Sequence, residues 1–122
     1  MTTDQLKQRT KSFAVRIRRL VDPLPNTVKG RAILNQIMRS ATSVAANYRA
    51  ACRARSRAEF IAKIGVVEEE ADETAFWLEL IVDTNVCAQT QKEPLLKEAG
   101  ELVTIIAASR KSAIGNRKSS ML

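Results

Sequence analysis

The chain has 122 residues, 45% hydrophobic but only 4% aromatic, with four glycines and three prolines; that bounds it to one domain with a single modest core and favours helices over β-sheet. It has no histidine and two isolated cysteines, Cys52 and Cys87, so neither a four-ligand zinc site nor a Ser-His-Asp or Cys-His catalytic arrangement can be assembled, and no cofactor or metal is expected. The net charge of +7 is segregated: residues 1–57 hold 13 basic and 2 acidic side chains, residues 58–104 hold 3 and 11, and residues 105–122 hold 4 and none.

Four amphipathic segments with a 3-4 apolar rhythm follow in order. The first runs from about 4 to 22 with Leu6, Phe13, Ile17 and Leu20 on one stripe, and "DPLPN" stops it because Pro23 and Pro25 cannot continue a helix. The second, from about 28 to 53, brings Leu34, Ile37, Met38, Ala41, Val44, Ala45, Tyr48 and Cys52 to one side. "SRAE" (56–59) reads as a capping box that opens the third, which continues to about 85 with Phe60, Ile64, Val67, Ala71, Ala75, Leu78 and Val82 inward. "TQKE" (90–93) repeats that pattern, with Pro94 suiting a first turn, and the fourth helix carries Leu95, Ala99, Leu102, Ile106 and Ala113 inward to about 113. The expected fold is all-α, an antiparallel up-down four-helix bundle over residues 1–114, with Gly115 stopping the last helix and 115–122 a disordered basic tail. No apolar run reaches the roughly 20 residues that span a bilayer, and no signal-peptide pattern is present, so a soluble cytoplasmic protein with no membrane partner is expected.

Residues 36–81, "QIMRSATSVAANYRAACRARSRAEFIAKIGVVEEEADETAFWLELI", carry a motif of Arg, two small residues, Ser, an aliphatic, Asn, a basic turn, then Ser-x-x-Glu-Phe and a Glu-rich helix. With Arg39, Ser43, Val44, Asn47, Ser56, Glu59 and Phe60 in those places, the chain resembles the four-helix-bundle proteins encoded in intervening sequences of bacterial 23S rRNA genes. In "NYRAACRAR" it departs from that family, which usually follows the Asn with an apolar residue and a Glu–Gly pair; the turn here is more basic. The resemblance implies a ring-like homopentamer without established enzymatic activity. A weaker likeness to the accessory proteins of diversity-generating retroelements implies association with RNA or DNA, or with a reverse-transcriptase-like protein.

Two surfaces stand out. Opposite the core stripe of the second helix lie Arg39, Ser43, Ala46 and Ala50, small where a solvent face would carry Lys and Glu. On the outer side of the third lie Ala62, Val66, Glu69, Glu73, Phe76 and Leu80, with Trp77 beside them. Together they are the candidate oligomer interface, since a monomer avoids such an apolar patch; alanine is also simply a good helix former, and a stripe misjudged by one position would turn the aromatics inward. In the acidic run "EEEADE" (68–73), Glu68 and Asp72 are expected to meet arginines of the second helix.

Lys7, Lys11 and Arg18 line the outer face of the first helix, and Arg49, Arg53, Arg55 and Arg57 crowd the turn between the second and third. They are either solvated or paired charge, or a phosphate-binding surface. With no base-reading motif, such a surface would be backbone-driven and weakly sequence-specific. The expected function is a non-enzymatic oligomer that docks nucleic acid or a nucleic-acid enzyme; the alternative is a protein-only adaptor whose arginines serve subunit contacts.

Overall fold

A computed structural model of the chain describes residues 1–21, 27–84 and 89–120, apart from the side chains of Lys29, of 89–91 and of 116–120. Four helices account for nearly all of it: α1 (Thr3–Val21), α2 (Val28–Ala51), α3 (Arg57–Thr84) and α4 (Gln89–Ser120). No strand occurs among the described residues.

Local chemistry starts three of these helices. Thr2 Oγ1 accepts from the Gln5 N–H at 3.1 Å while Gln5 Oε1 accepts from the Thr2 N–H at 2.8 Å, a reciprocal capping box. Thr27, extended at φ −101°, caps α2 by accepting from the Gly30 N–H at 3.0 Å. Ser56 accepts from the Glu59 N–H at 3.1 Å, as "SRAE" predicts, but Glu59 reaches back to the Arg55 N–H (3.0 Å), one residue beyond the cap.

The fourth helix differs from expectation at both ends. It begins at Gln89, ahead of Thr90, so Pro94 lies inside the helix; the Thr90 side chain that would have capped it is outside the described residues. It also passes Gly115 and continues to Ser120, so the expected disordered tail is helical over 115–120. A single glycine costs a helix only about 1 kcal/mol, which need not end it. Met121 and Leu122 lie outside the described residues.

The core follows from one spacing rule. The inward rows are Leu6, Thr10, Phe13, Ile17 and Leu20 in α1; Ile37, Ala41, Val44, Tyr48 and Ala51 in α2; Ile64, Val67, Ala71, Thr74, Leu78 and Ile81 in α3; and Lys92, Leu95, Ala99, Leu102 and Ile106 in α4, with Val21 and Ser40 also buried beside them. Every step along these rows is three or four residues, the seam of helices packed about 20° from parallel. In α3 the seam runs through Thr74 and Ile81, one position before Ala75 and Val82, which the apolar pattern puts inside and which are only half-buried. Threonine at a seam position hides the period from a hydrophobicity count.

α2 packs most extensively on α3 and α3 on α4; α1 packs on α2 and, least, on α4, with no backbone contact across either diagonal among the described residues. The α2–α3 pair is antiparallel. Arg39 reaches Glu70 (3.1 Å) and Glu73 of the later half of α3, whereas Ala46 and Arg53 share a recess with Glu59 and Lys63 near its start. Beneath the Arg39 clamp, Thr74 donates to Ser40 Oγ at 2.8 Å, and Ser40 donates to the Ile37 carbonyl at 3.2 Å. Two buried hydroxyls thus satisfy each other across the helix interface. Arg9 ties α1 to α4 through Glu98 and Glu101, both at 2.6 Å, and Arg110 of α4 lies 3.6 Å from Glu68. Glu68 therefore meets α4 rather than α2, and Asp72 is exposed, contrary to the sequence expectation. The 100° step between residues explains it: Glu70 and Glu73 share the α2 side of α3, and Glu68 sits on the other.

Two expected outcomes follow. A Cβ at Gly65 would meet only Arg110 Nε, at an ordinary 3.7 Å, so Gly65→Ala should raise stability by about 0.5–1 kcal/mol, seen as a higher urea midpoint at unchanged m. The Arg9 hydrogen bond holds Glu98 below its ordinary value of 4.5, against the opposing effect of burial. A carboxylate depressed by folding contributes stability that is fully present above its unfolded value and lost as pH falls through the folded one. Glu98→Gln should therefore flatten the acid limb of a stability–pH profile below pH 4.5; an unchanged limb would assign it to other carboxylates.

Candidate nucleic-acid interface

Seams at 3-4 spacing bury one side of each helix and leave the flanks of α1 and α2 facing each other above the core. Because α1 packs on α2 less extensively than α3 does, the flanks stand apart over a groove of about 640 Å³. Its walls carry Lys7, Lys11 and Arg18 from α1 and Arg49 and Arg53 from α2. Between them lies an apolar surface of Ala14, Val15, Met38, Ala45 and Ala46, with Gln8 and Thr42 the neutral polar members. No carboxylate lines it. Five of the seven basic residues expected to bind phosphate thus converge on one groove, though they come from segments some 30 residues apart in sequence.

A second recess, about 360 Å³, lies on the other side of α2, lined by Ala46, Arg49, Ala50, Arg53, Arg55, Glu59 and Lys63. Arg55 belongs here; Arg57, the first residue of α3, lines neither depression. The single carboxylate, Glu59, is already engaged: it is held below its ordinary value chiefly by the Arg55 N–H and also by Lys63, at 3.4 Å.

The basic side chains divide by whether a carboxylate faces them. Arg9, Arg39, Lys63 and Arg110 all have carboxylate partners within 4 Å. Lys7 has one distant partner, Asp4 at 3.9 Å. Lys11, Arg18, Arg49 and Arg53 have no carboxylate within 4 Å among the described residues. Unpaired positive charges held along a common trough raise the local anion concentration.

The expected interface residues are more divided. Val66 (42% exposed) and Phe76 (53%) do face outward on α3, with Glu69 exposed beside them. Trp77 is half-buried against the core, packed edge-on to Phe76 with centroids 5.1 Å apart, its Nε1–H donating to Glu73 at 3.4 Å; Leu80 is also half-buried. Arg39 is exposed but engaged within its own chain by Glu70 and Glu73. Ser43 accepts from Asn47 Nδ2 at 2.8 Å, Ala46 lines both depressions and Ala50 lines the recess.

Sequence reading missed the groove's floor. The spacing of Met38 and Ala45 puts them on the core stripe of α2, and Ala14 and Val15 fall on no stripe of α1. One signal was available: Val15, 41% exposed, is a β-branched apolar residue on an otherwise charged flank of α1. Tyr48 belongs to the core, where burial and then Cys52 push its phenol up to about 12, with Thr3 opposing. Cys52 is a half-buried free thiol; Cys87 lies outside the described residues. Among the described residues, no group of three or more Cys, Asp or Glu could hold a metal ion, and no helix is long and apolar enough to cross a membrane.

Residues 3–108 match the family model described as 23S rRNA-intervening sequence protein. The chain is also similar to a crystal structure from Bacteroides thetaiotaomicron, described as a protein of unknown function from the S23 ribosomal protein family. The two are 37% identical with a TM-score of 0.81 over 91% of this chain and 99% of that one. No curated protein matches.

Proposed function

From the premise that the chain belongs to the 23S rRNA-intervening sequence protein family, we propose that it is a non-enzymatic, self-associating bundle whose α1–α2 groove docks nucleic acid, or an enzyme acting on it, with little sequence specificity. The observation that carries this reading is the convergence of five basic side chains on one groove that no carboxylate lines. Lys11, Arg18, Arg49 and Arg53 have no carboxylate within 4 Å among the described residues, and no acidic side chain lines the groove they share. Phosphates would supply the missing charge, and release of their counterions would drive binding. The absence of histidine and of a phosphate loop from the sequence supports a binding role over a catalytic one.

Self-association rests on Val66 and Phe76, large apolar groups left in water on α3, and the ring-like homopentamer is the assembly the family resemblance implies. A protein-only scaffold is the second reading. It is favoured by the Ala, Val and Met floor of the groove, which suits apolar side chains as well as bases.

Two measurements test this. Light scattering should report several subunits per particle, and Phe76→Glu with Val66→Glu should give a smaller, still helical species; a monomeric wild type at micromolar concentration removes the assembly. Binding of RNA or DNA should weaken with salt, with a log–log slope of roughly −0.7 to −0.9 per phosphate contacted. Changing Arg49, Arg53, Arg55 and Arg57 together to Ser should flatten that slope without dispersing the oligomer. No retention of any RNA or DNA at about 50 mM salt would leave the scaffold reading standing.

A further inference from the structure

The two depressions flanking α2 are parts of one track. The α1–α2 groove and the recess beside α3 share Ala46, Arg49 and Arg53, so the lining passes continuously over the exposed side of α2, its one carboxylate being Glu59 in the recess, already paired with Lys63. From Lys7 and Lys11 on one side it leads across Arg49 and Arg53 to Arg55 and Lys63 on the other. Such a track curves around a single α-helix, about 10–12 Å across with its side chains. It also sets an apolar floor between charged walls.

We propose that the ligand of this track is a flexible single strand of nucleic acid, laid in the α1–α2 groove and bent over Arg49 and Arg53 into the recess beside α3. The inference rests on the nucleic-acid reading above and narrows it. Double-stranded DNA has a persistence length of about 500 Å, so it cannot follow a surface that turns around one helix; it could rest only on the outer rims, leaving the floor untouched. A single strand bends freely and presents both surfaces that the track asks for, phosphates to the cationic walls and base faces to Ala, Val and Met. No aromatic side chain lines either depression, so bases would lie against aliphatic groups rather than stack between rings, and discrimination among them would be weak. An acidic amphipathic helix shares this mixed chemistry but is straight: it could occupy the groove and could not continue over α2.

The test is fluorescence anisotropy on the assembled protein at low salt. The probes are a labelled 12-nucleotide oligouridylate, a 4-nucleotide version, a blunt 12-base-pair duplex and an acidic amphipathic peptide. The longer strand should bind at least tenfold more tightly than the duplex. Arg49→Gln with Arg53→Gln should weaken both strands at least tenfold, while Arg55→Gln with Lys63→Gln should weaken only the longer one, because only it reaches the recess. Circular dichroism checks that each variant keeps its helices. Equal affinity for strand and duplex would overturn the single-strand inference and leave nucleic-acid docking intact. Equal loss for both strand lengths on changing Arg55 and Lys63 would overturn the path around α2. Binding of the peptide alone, with no nucleic acid retained, would overturn this inference and the reading beneath it.

Discussion

The structure depends on the 3-4 spacing of its buried positions. One row per helix, from Leu6 to Leu20, Ile37 to Ala51, Ile64 to Ile81 and Lys92 to Ile106, is removed from water. Burial of each large aliphatic side chain stabilises by about 1.5–3 kcal/mol, so rotating a helix by one residue would forfeit several such contributions at once. That penalty fixes the rotation of every helix about its axis, and with it the direction of everything that is not core. The exposed Phe76 and the unpaired Arg49 are where they are because Leu78 and Tyr48 must face inward.

Polar groups then select among the ways four such helices could slide. The Ser40–Thr74 hydrogen bond lies wholly inside the α2–α3 interface, and a shift along the axis would break it; each hydroxyl keeps a carbonyl of its own helix, Ile37 or Glu70, so the loss is that of one net hydrogen bond, about 0.5–1.5 kcal/mol. Arg39 over Glu70 and Glu73 marks the same register at the surface, where exposure makes the pairing weaker. α1 has less of this. It is held to α4 by Arg9 and faces α2 across the groove, so the looser packing and the groove have one origin.

Much of this is legible in the sequence, and the failures have physical causes. The four helices, the Ser56–Glu59 cap and most of the core follow from spacing and capping chemistry. Thr74 was invisible because a hydroxyl on a seam reads as polar until Ser40 is known to lie opposite it. The run past Gly115 was missed because glycine weakens a helix without forbidding it. The destinations of Glu68 and Glu70 depend on which neighbour flanks each side of α3, a tertiary fact. The basic residues of the groove were identifiable one helix at a time; their convergence required α1 and α2 to be neighbours. The apolar floor was hidden for a related reason, since Ala45 and Met38 sit at the margin of the core stripe and read equally well as core.

Net charge is therefore a poor guide to what this surface does. At physiological salt the field of an exposed charge decays over about 8 Å, so a ligand in the groove responds to the side chains lining it and little to the acidic face of α3. The value of +7 sums a strongly basic α1–α2 half, a basic end of α4 and an acidic α3 whose carboxylates are either paired, as in Glu68, Glu70 and Glu73, or exposed outside both depressions, as in Glu69 and Asp72. The order of helices around the core, with α1 rather than α3 on that flank of α2, converts segregated charge in the sequence into an open cationic trough.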